Sequence, residues 1–246
     1  MLAELLFVPA LVGYGEAALA YVREAQRPGL AGRVAIWGVR LGWLAHTALL
    51  VAEAERERAF PWATWSGALN LFVWLVVAAY LIWGCKPRFR LLGVAVMPLA
   101  ALLLLLAVIG GPSGAGDAST VFLVAHVGLI LAGFAAFTLA AGLSGFYLWE
   151  GRRLKRRSAT LLRLRVPPLE TLDRLARRAL AVGVVAAGLG IAVGLVSLDG
   201  RVDAAMTLAL AGWSANAVAL VHRRRPYLVL AALVPVAGAL SLGHFA

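Results

Sequence analysis

The chain has 246 residues, 62% of them hydrophobic, and a mean hydropathy of +0.88, values that exclude a soluble globular domain. Its formal charge of +11 is carried by loops that alternate along the chain, as membrane insertion requires, so we expect no nucleic-acid partner. The single cysteine, Cys85, excludes an internal disulfide, a CxxC redox pair and a zinc site built from several cysteines.

Eight apolar segments follow one another along the chain and are of a length that can cross about 30 Å of hydrocarbon. They run roughly over residues 5–21, 35–52, 63–84, 91–109, 121–149, 179–198, 204–221 and 227–245. The first, third, fifth and seventh are each followed by a loop rich in Lys and Arg, and the other loops are neutral or acidic. Because basic loops stay in the cytoplasm, we predict an all-α polytopic integral membrane bundle of eight transmembrane helices, with both termini outside. Residues 1–246 would form one domain in the cell inner membrane.

The fifth segment fixes the predicted orientation most firmly. Residues 121–149 contain no charged side chain, and seven Arg or Lys fall between Arg152 and Arg165 directly afterwards. We therefore predict a basic cytoplasmic loop at 150–178. Pro168 and Glu170 favour the start of a helix within this loop that continues into the sixth segment.

Small residues recur at helical spacing in the fifth and sixth segments, which indicates close packing of helix on helix. The row in the fifth segment is Gly128, Ala132, Ala136, Ala140 and Ser144, and the row in the sixth is Gly183, Ala187, Gly190 and Gly194.

All four histidines lie in or at the end of a predicted membrane segment. His126 begins the fifth segment and His244 ends the eighth, both on the outer side, so they form a candidate outer pair. His46 in the second segment and His222 at the end of the seventh form a candidate inner pair. Two neutral imidazoles on facing helices can hold one haem between them, which makes these pairs candidate iron ligands.

Each histidine also has a structural interpretation. An intramembrane histidine is often a hydrogen-bonded packing residue, and His222 beside three arginines is also explained as one more cytoplasmic cation. His244 is two residues from the end of the chain, where helices fray, and His46 and His222 differ in predicted depth. Asn70 is interpreted as a polar contact between helices. No nucleophile elbow, phosphate loop or metalloprotease motif is present, so we predict that the chain is not an enzyme.

Four stretches of the chain resemble the cytochrome c assembly family, the CcsA-like and HemX-like eight-helix membrane proteins that handle haem. The run PPLETLDRLARRALAVGVVAAGLGIAVGLV, from Pro167, is similar to a family segment in which Pro-x-Leu-Glu-x-Leu-Asp-x-Leu leads into a Gly-rich helix. WGVRLGWLAHTALL resembles the family's His-Thr second helix, and FPWATWSGALNLFVWLVVAAYLIW its third. HVGLILAGFAAFTLAAGLSGFYLWEGRRLK is similar to the helix that opens with a histidine and closes on a basic loop. The resemblance covers nearly the whole chain from about residue 34.

The resemblance implies roles for the same four histidines. His126 and His244 fall where CcsA-like proteins flank an outward-facing haem, and His46 and His222 fall where a second pair receives haem within the membrane. One feature of the family is missing: SLDGRVDAAMTLALAGW stands where CcsA-like proteins carry the Trp-rich WWD motif. This departure places the chain nearer the HemX-like branch.

We therefore expect a membrane protein that binds non-covalent haem b through histidine pairs and transports or presents it for cytochrome c biogenesis. The resemblance implies an apocytochrome c and a CcsB-like membrane protein as partners, in addition to the lipid bilayer. Two alternatives remain at this point: a HemX-like regulator of haem biosynthesis that acts through its cytoplasmic loop, and a small secondary transporter unrelated to haem.

Overall fold

The computed structural model describes residues 2–26, 29–57, 64–84, 86, 89–111, 121–156, 167–197, 204–222 and 226–241. Secondary structure within these ranges is helical throughout, in agreement with the predicted all-α class. The helices are α1 (Leu2–Gln26), α2 (Ala31–Glu57), α3 (Trp65–Gly84), α4 (Arg90–Ile109), α5 (Val121–Lys155), α6 (Leu169–Ser197), α7 (Ala204–Val221), α8 (Pro226–Ala231) and α9 (Leu233–Ser241).

Helices α1 to α7 are each long and apolar enough to cross a membrane, which confirms a polytopic bundle. Helix α6 begins at Leu169, so the predicted helix within the basic loop is continuous with the sixth segment. The eighth apolar segment is instead divided into α8 and α9. Pro235 explains the division, because a proline ring clashes with the carbonyl four residues earlier, here that of Ala231, where α8 ends.

Helices α1 and α2 form a close antiparallel pair. A methyl group added at Gly13 would lie 2.7 Å from the Cα of Gly42, so the two backbones touch at this crossing. At the end of the pair, the Glu24 carboxylate accepts hydrogen bonds from the backbone N–H groups of Gly29 and Gly32, at 2.8 and 2.9 Å. It also forms an ion pair with Arg90 at 2.9 Å. Glu24 thereby joins α1, the start of α2 and the start of α4.

Helices α5 and α6 form the most extensive contact of the bundle. The predicted row of small residues on α6 is confirmed, since Gly183, Ala187, Gly190 and Gly194 all lie against α5. On α5 the closest approach is at Gly133, where an added methyl group would lie 2.6 Å from the Cβ of Ala187. The predicted row of small residues on α5 does not include Gly133 and only partly coincides with the contact. The later members of the row are buried, but a methyl group added at Gly128 would meet no atom within 4 Å.

The helices pack mainly within two groups. Helices α1 to α4 contact one another, and α5 packs with α6, α8 and, less, α9, while α7 contacts α6, α8 and α9. Helix α3 connects the groups, because it packs on both α4 and α5. The predictions that concern His244, Cys85 and the acidic loop at 198–203 lie outside the described residues.

Candidate functional site

A small apolar cavity of about 60 Å³ opens at the end of the bundle that is predicted to lie outside. It is formed where α3, α5 and α7 begin and where α6 and α9 end. We call it the His126 cavity, and its lining is Ala68, His126, Val127, Ile130, Leu131, Phe134, Ile191, Ala205, Met206, Ala209 and Ala239. From His126 to Phe134 the cavity follows α5 for about 12 Å. Its volume is below the range of about 300–1,000 Å³ that is usual for cofactor and small-molecule sites, so a ligand of that size would have to separate the lining helices.

His126 supplies the only ionisable side chain among these lining residues. Its Nδ1 lies 2.7 Å from the backbone carbonyl oxygen of Gly190 on α6. Because a carbonyl oxygen only accepts, Nδ1 carries the hydrogen, and the lone pair of the neutral ring is on Nε2. Histidines that ligate a metal are commonly oriented in this way, by donation from the second ring nitrogen to a backbone carbonyl.

Gly194 provides the space that the His126 ring occupies. A methyl group added at Gly194 would lie 2.6 Å from Nδ1 of His126, well inside ordinary van der Waals contact. Gly190 and Gly194 are one helical turn apart on α6, so one glycine presents its carbonyl to the ring and the next makes room for it. The α5–α6 contact therefore determines where the imidazole lies.

Met206 lines the same cavity and was not among the residues that the sequence singled out. It stands in the first turn of α7 and is buried. A thioether is the second ligand of haem iron in cytochromes c, where the first is a histidine. Its position at the outer start of the seventh segment, in the same predicted layer as His126, is the signal that could have identified it.

His46 is fully buried and hydrogen-bonded through both ring nitrogens. Its Nε2 is 2.6 Å from the Oδ1 of Asn70, and its Nδ1 is 3.1 Å from the hydroxyl of Tyr14. Asn70 in turn donates from Nδ2 to Glu53 at 3.1 Å, as expected of a polar contact between helices. This chain of four side chains joins α1, α2 and α3. In this arrangement His46 could ligate iron only by giving up one of its two hydrogen bonds.

The structure does not bring the candidate inner pair together on neighbouring helices. His222 follows the last residue of α7 and is exposed, and α7 packs on α6, α8 and α9. His46 lies on α2, whose packing is against α1 and, to a smaller extent, α3. For the outer pair, Ala239 of α9 lines the His126 cavity five positions before His244, which itself lies outside the described residues.

Comparison with known families identifies the one to which this chain is similar. The family model described as cytochrome C assembly protein matches residues 62–198, which is more than half of the chain. This range spans α3 to α6 and includes His126, Gly190 and Gly194. A search of curated proteins finds no matching sequence.

Proposed function

We propose that this chain, which belongs to the cytochrome c assembly family and is a multi-pass membrane protein, binds haem and transports or presents it across the membrane. Its family membership gives it a role in cytochrome c biogenesis. The observation that carries this proposal is the fixed orientation of His126 beside an apolar cavity. The cargo would be non-covalent haem b.

The chemistry of the described residues suits such a cargo at the His126 cavity, which would have to widen from about 60 Å³ to admit a porphyrin. Aliphatic side chains and Phe134 offer the apolar surface that a porphyrin requires, and the Nδ1 hydrogen bond holds the imidazole in the tautomer that ligates through Nε2. His126 is therefore the proposed iron ligand. The second iron ligand would be His244, which is in the same predicted layer, or Met206, whose thioether lines the same cavity.

His46 has a different place in the proposal. With both nitrogens hydrogen-bonded, it supports the packing of α1, α2 and α3 in the described arrangement. Ligation by His46 and His222 would require a second arrangement of these helices. We therefore assign the haem of the described state to the outer layer, and the inner pair to a separate step of transport.

The chain itself would form and break no covalent bonds. Attachment of haem to an apocytochrome needs reduced thiols, which a chain with Cys85 as its only cysteine would obtain from partners. A CcsB-like membrane protein and the apocytochrome c are the proposed partners, and the cell inner membrane is the proposed location.

The test is an absorbance spectrum of the purified protein, reduced and oxidised, after haem is supplied. The wild type is compared with His46→Ala, His126→Ala, His222→Ala and His244→Ala. We expect His126→Ala to lose the spectrum of ligated haem and His46→Ala to retain it with a lower melting temperature. His222→Ala, at an exposed position away from the His126 cavity, should retain the spectrum of haem in the outer layer.

Two results would overturn the proposal. A wild-type protein that takes up no haem would remove haem ligation and favour a regulatory or transport function. A His126→Ala protein that keeps an unchanged spectrum would show that the His126 cavity is not the haem site.

A further inference from the structure

A second cavity, of about 470 Å³, lies at the opposite end of the bundle, where the last turns of α5 approach α8. Three arginines of α5 line it, together with one tryptophan and two leucines. We call it the arginine cavity, and these six residues are Leu148, Trp149, Arg152, Arg153, Arg156 and Leu230. Neither the proposed haem site nor its ligands include any of them.

Within the described part of the chain, no carboxylate balances the charges of the arginine cavity. Within the described residues none of the three guanidinium groups forms an ion pair, although Arg90, Arg174 and Arg177 each do so elsewhere. The sequence that follows, 157–169, contains no Asp or Glu, and three further arginines at 223–225 precede α8. The carboxylate nearest along α5, that of Glu150, is buried and pairs with none of the three.

Aromatic contacts hold part of the cavity wall in place. The guanidinium carbon of Arg153 lies 4.8 Å from the ring centroid of Trp149. The Trp149 ring in turn stacks on Phe146, with centroids 5.3 Å apart and planes inclined by 13°. A guanidinium stacked in this way keeps its N–H edge available for an anion, because stacking uses only its face. The cavity thus has an oriented donor and is not only a region of positive charge.

The lining indicates which anion fits. Guanidinium groups bind phosphate through paired, charge-assisted hydrogen bonds. Leu148, Leu230 and the Trp149 ring add apolar surface at the end of a membrane helix, where a headgroup joins its acyl chains. An amphiphile with a phosphate meets both requirements. Retention of basic loops in the cytoplasm explains the sign of the charge here, but it does not require a cavity.

We propose that the arginine cavity binds the phosphate of an anionic phospholipid in the leaflet on the side of the basic loop. Basic cavities between membrane helices on this side are a known mode of anionic lipid recognition. The lipid would supply the negative charge that the sequence after α5 lacks and would join the end of α5 to α8. This inference does not depend on haem binding.

The test uses delipidated full-length protein in neutral detergent, titrated with phosphatidylglycerol or with phosphatidylcholine of the same acyl chains. Bound lipid is counted by native mass spectrometry. We expect preferential retention of phosphatidylglycerol, and affinity about tenfold or more lower in R152Q/R153Q/R156Q. The control R174Q/R177Q/R178Q removes the same charge from the start of α6, outside the cavity, and should bind as the wild type does.

Several outcomes would refute the proposal. Equal binding of the two lipids, or unchanged phosphatidylglycerol binding by R152Q/R153Q/R156Q, would exclude a headgroup site. An equal loss in the control variant would show a general effect of surface charge. Displacement of the lipid by millimolar inorganic phosphate would identify a soluble phosphate compound as the ligand. If the triple variant does not fold, Arg156→Gln alone gives the same comparison, because this exposed side chain is outside the packed core.

Discussion

Replacing Gly194 by alanine should weaken haem binding without a direct change to any proposed ligand. The added methyl group would lie 2.6 Å from Nδ1 of His126, about 0.8 Å inside the 3.4 Å at which ordinary contact begins. The helix backbone of α6 cannot easily withdraw, since α6 is also held by α7, where Trp213 donates a hydrogen bond to the backbone carbonyl of Val184 at 2.9 Å. We expect the imidazole to move instead.

The displacement is large enough to break the hydrogen bond that orients the ring. The distance from Nδ1 to the Gly190 oxygen is 2.7 Å, and a shift of about 0.8 Å away from α6 extends it to about 3.5 Å, the limit for such a bond. Loss of a hydrogen-bond partner to a metal-ligating histidine typically lowers affinity by about 10–100-fold. This factor corresponds to about 1.4–2.8 kcal/mol of binding free energy.

The assay is a haem titration of the purified variant followed by absorbance, with the melting temperature measured in parallel. Gly128→Ala is the matched control, because it makes the same chemical change two positions from His126 where no atom lies within 4 Å. The control should bind haem as the wild type does. Wild-type affinity in Gly194→Ala would refute the argument that α6 positions the imidazole.

Three further changes test other parts of the structure. His46→Leu leaves two buried hydrogen-bonding groups without their partner, at a cost of about 1–3 kcal/mol each, so the melting temperature should fall clearly. An unchanged melting temperature would contradict a structural function for this ring. Glu24→Gln removes a largely buried ion pair with Arg90, whose side chain is 19% exposed, and should destabilise the protein by about 1–3 kcal/mol in thermal unfolding. The same change at Glu170, whose side chain is 84% exposed, should lower the free energy of unfolding by at most about 0.5 kcal/mol. Equal losses at Glu24 and Glu170 would show that burial does not determine the strength of these ion pairs. Met206→Leu should keep the cavity apolar but lower the midpoint potential of bound haem if the thioether ligates iron; an unchanged potential would assign the second ligand elsewhere.

The sequence predicted the fold well because membrane insertion depends on local properties. Segment length and hydropathy located the seven long helices, with ends within about six residues of those observed except at the start of α6. The start of α6 near Pro168 followed from its helix-initiating residues. The division of the eighth segment was missed, although Pro235 was visible, because a proline in an apolar segment bends some helices and interrupts others.

The candidate site was only partly accessible from the sequence. Its small-residue row and His126 were found, because spacing and an intramembrane histidine are both local signals. The hydrogen bond to Gly190 joins residues 64 positions apart and depends on the rotation of α5 against α6. The same limit applies to His46, whose partners Tyr14 and Asn70 are 32 and 24 positions away. A row of small residues indicates a face that packs closely, but it does not indicate which face of another helix it meets.

The division of packing into two groups has a consequence for how the protein is made. Helices α1 to α4 find their main contacts among themselves, so this half can complete its packing while the ribosome is still synthesising α5. The two halves would then dock through α3, which packs on α5 and contributes Ala68 to the His126 cavity. A gene split within the segment 112–120 should therefore yield two fragments that assemble in the membrane into a haem-binding complex when they are co-expressed. Failure of the fragments to copurify would show that the continuous chain is needed for docking.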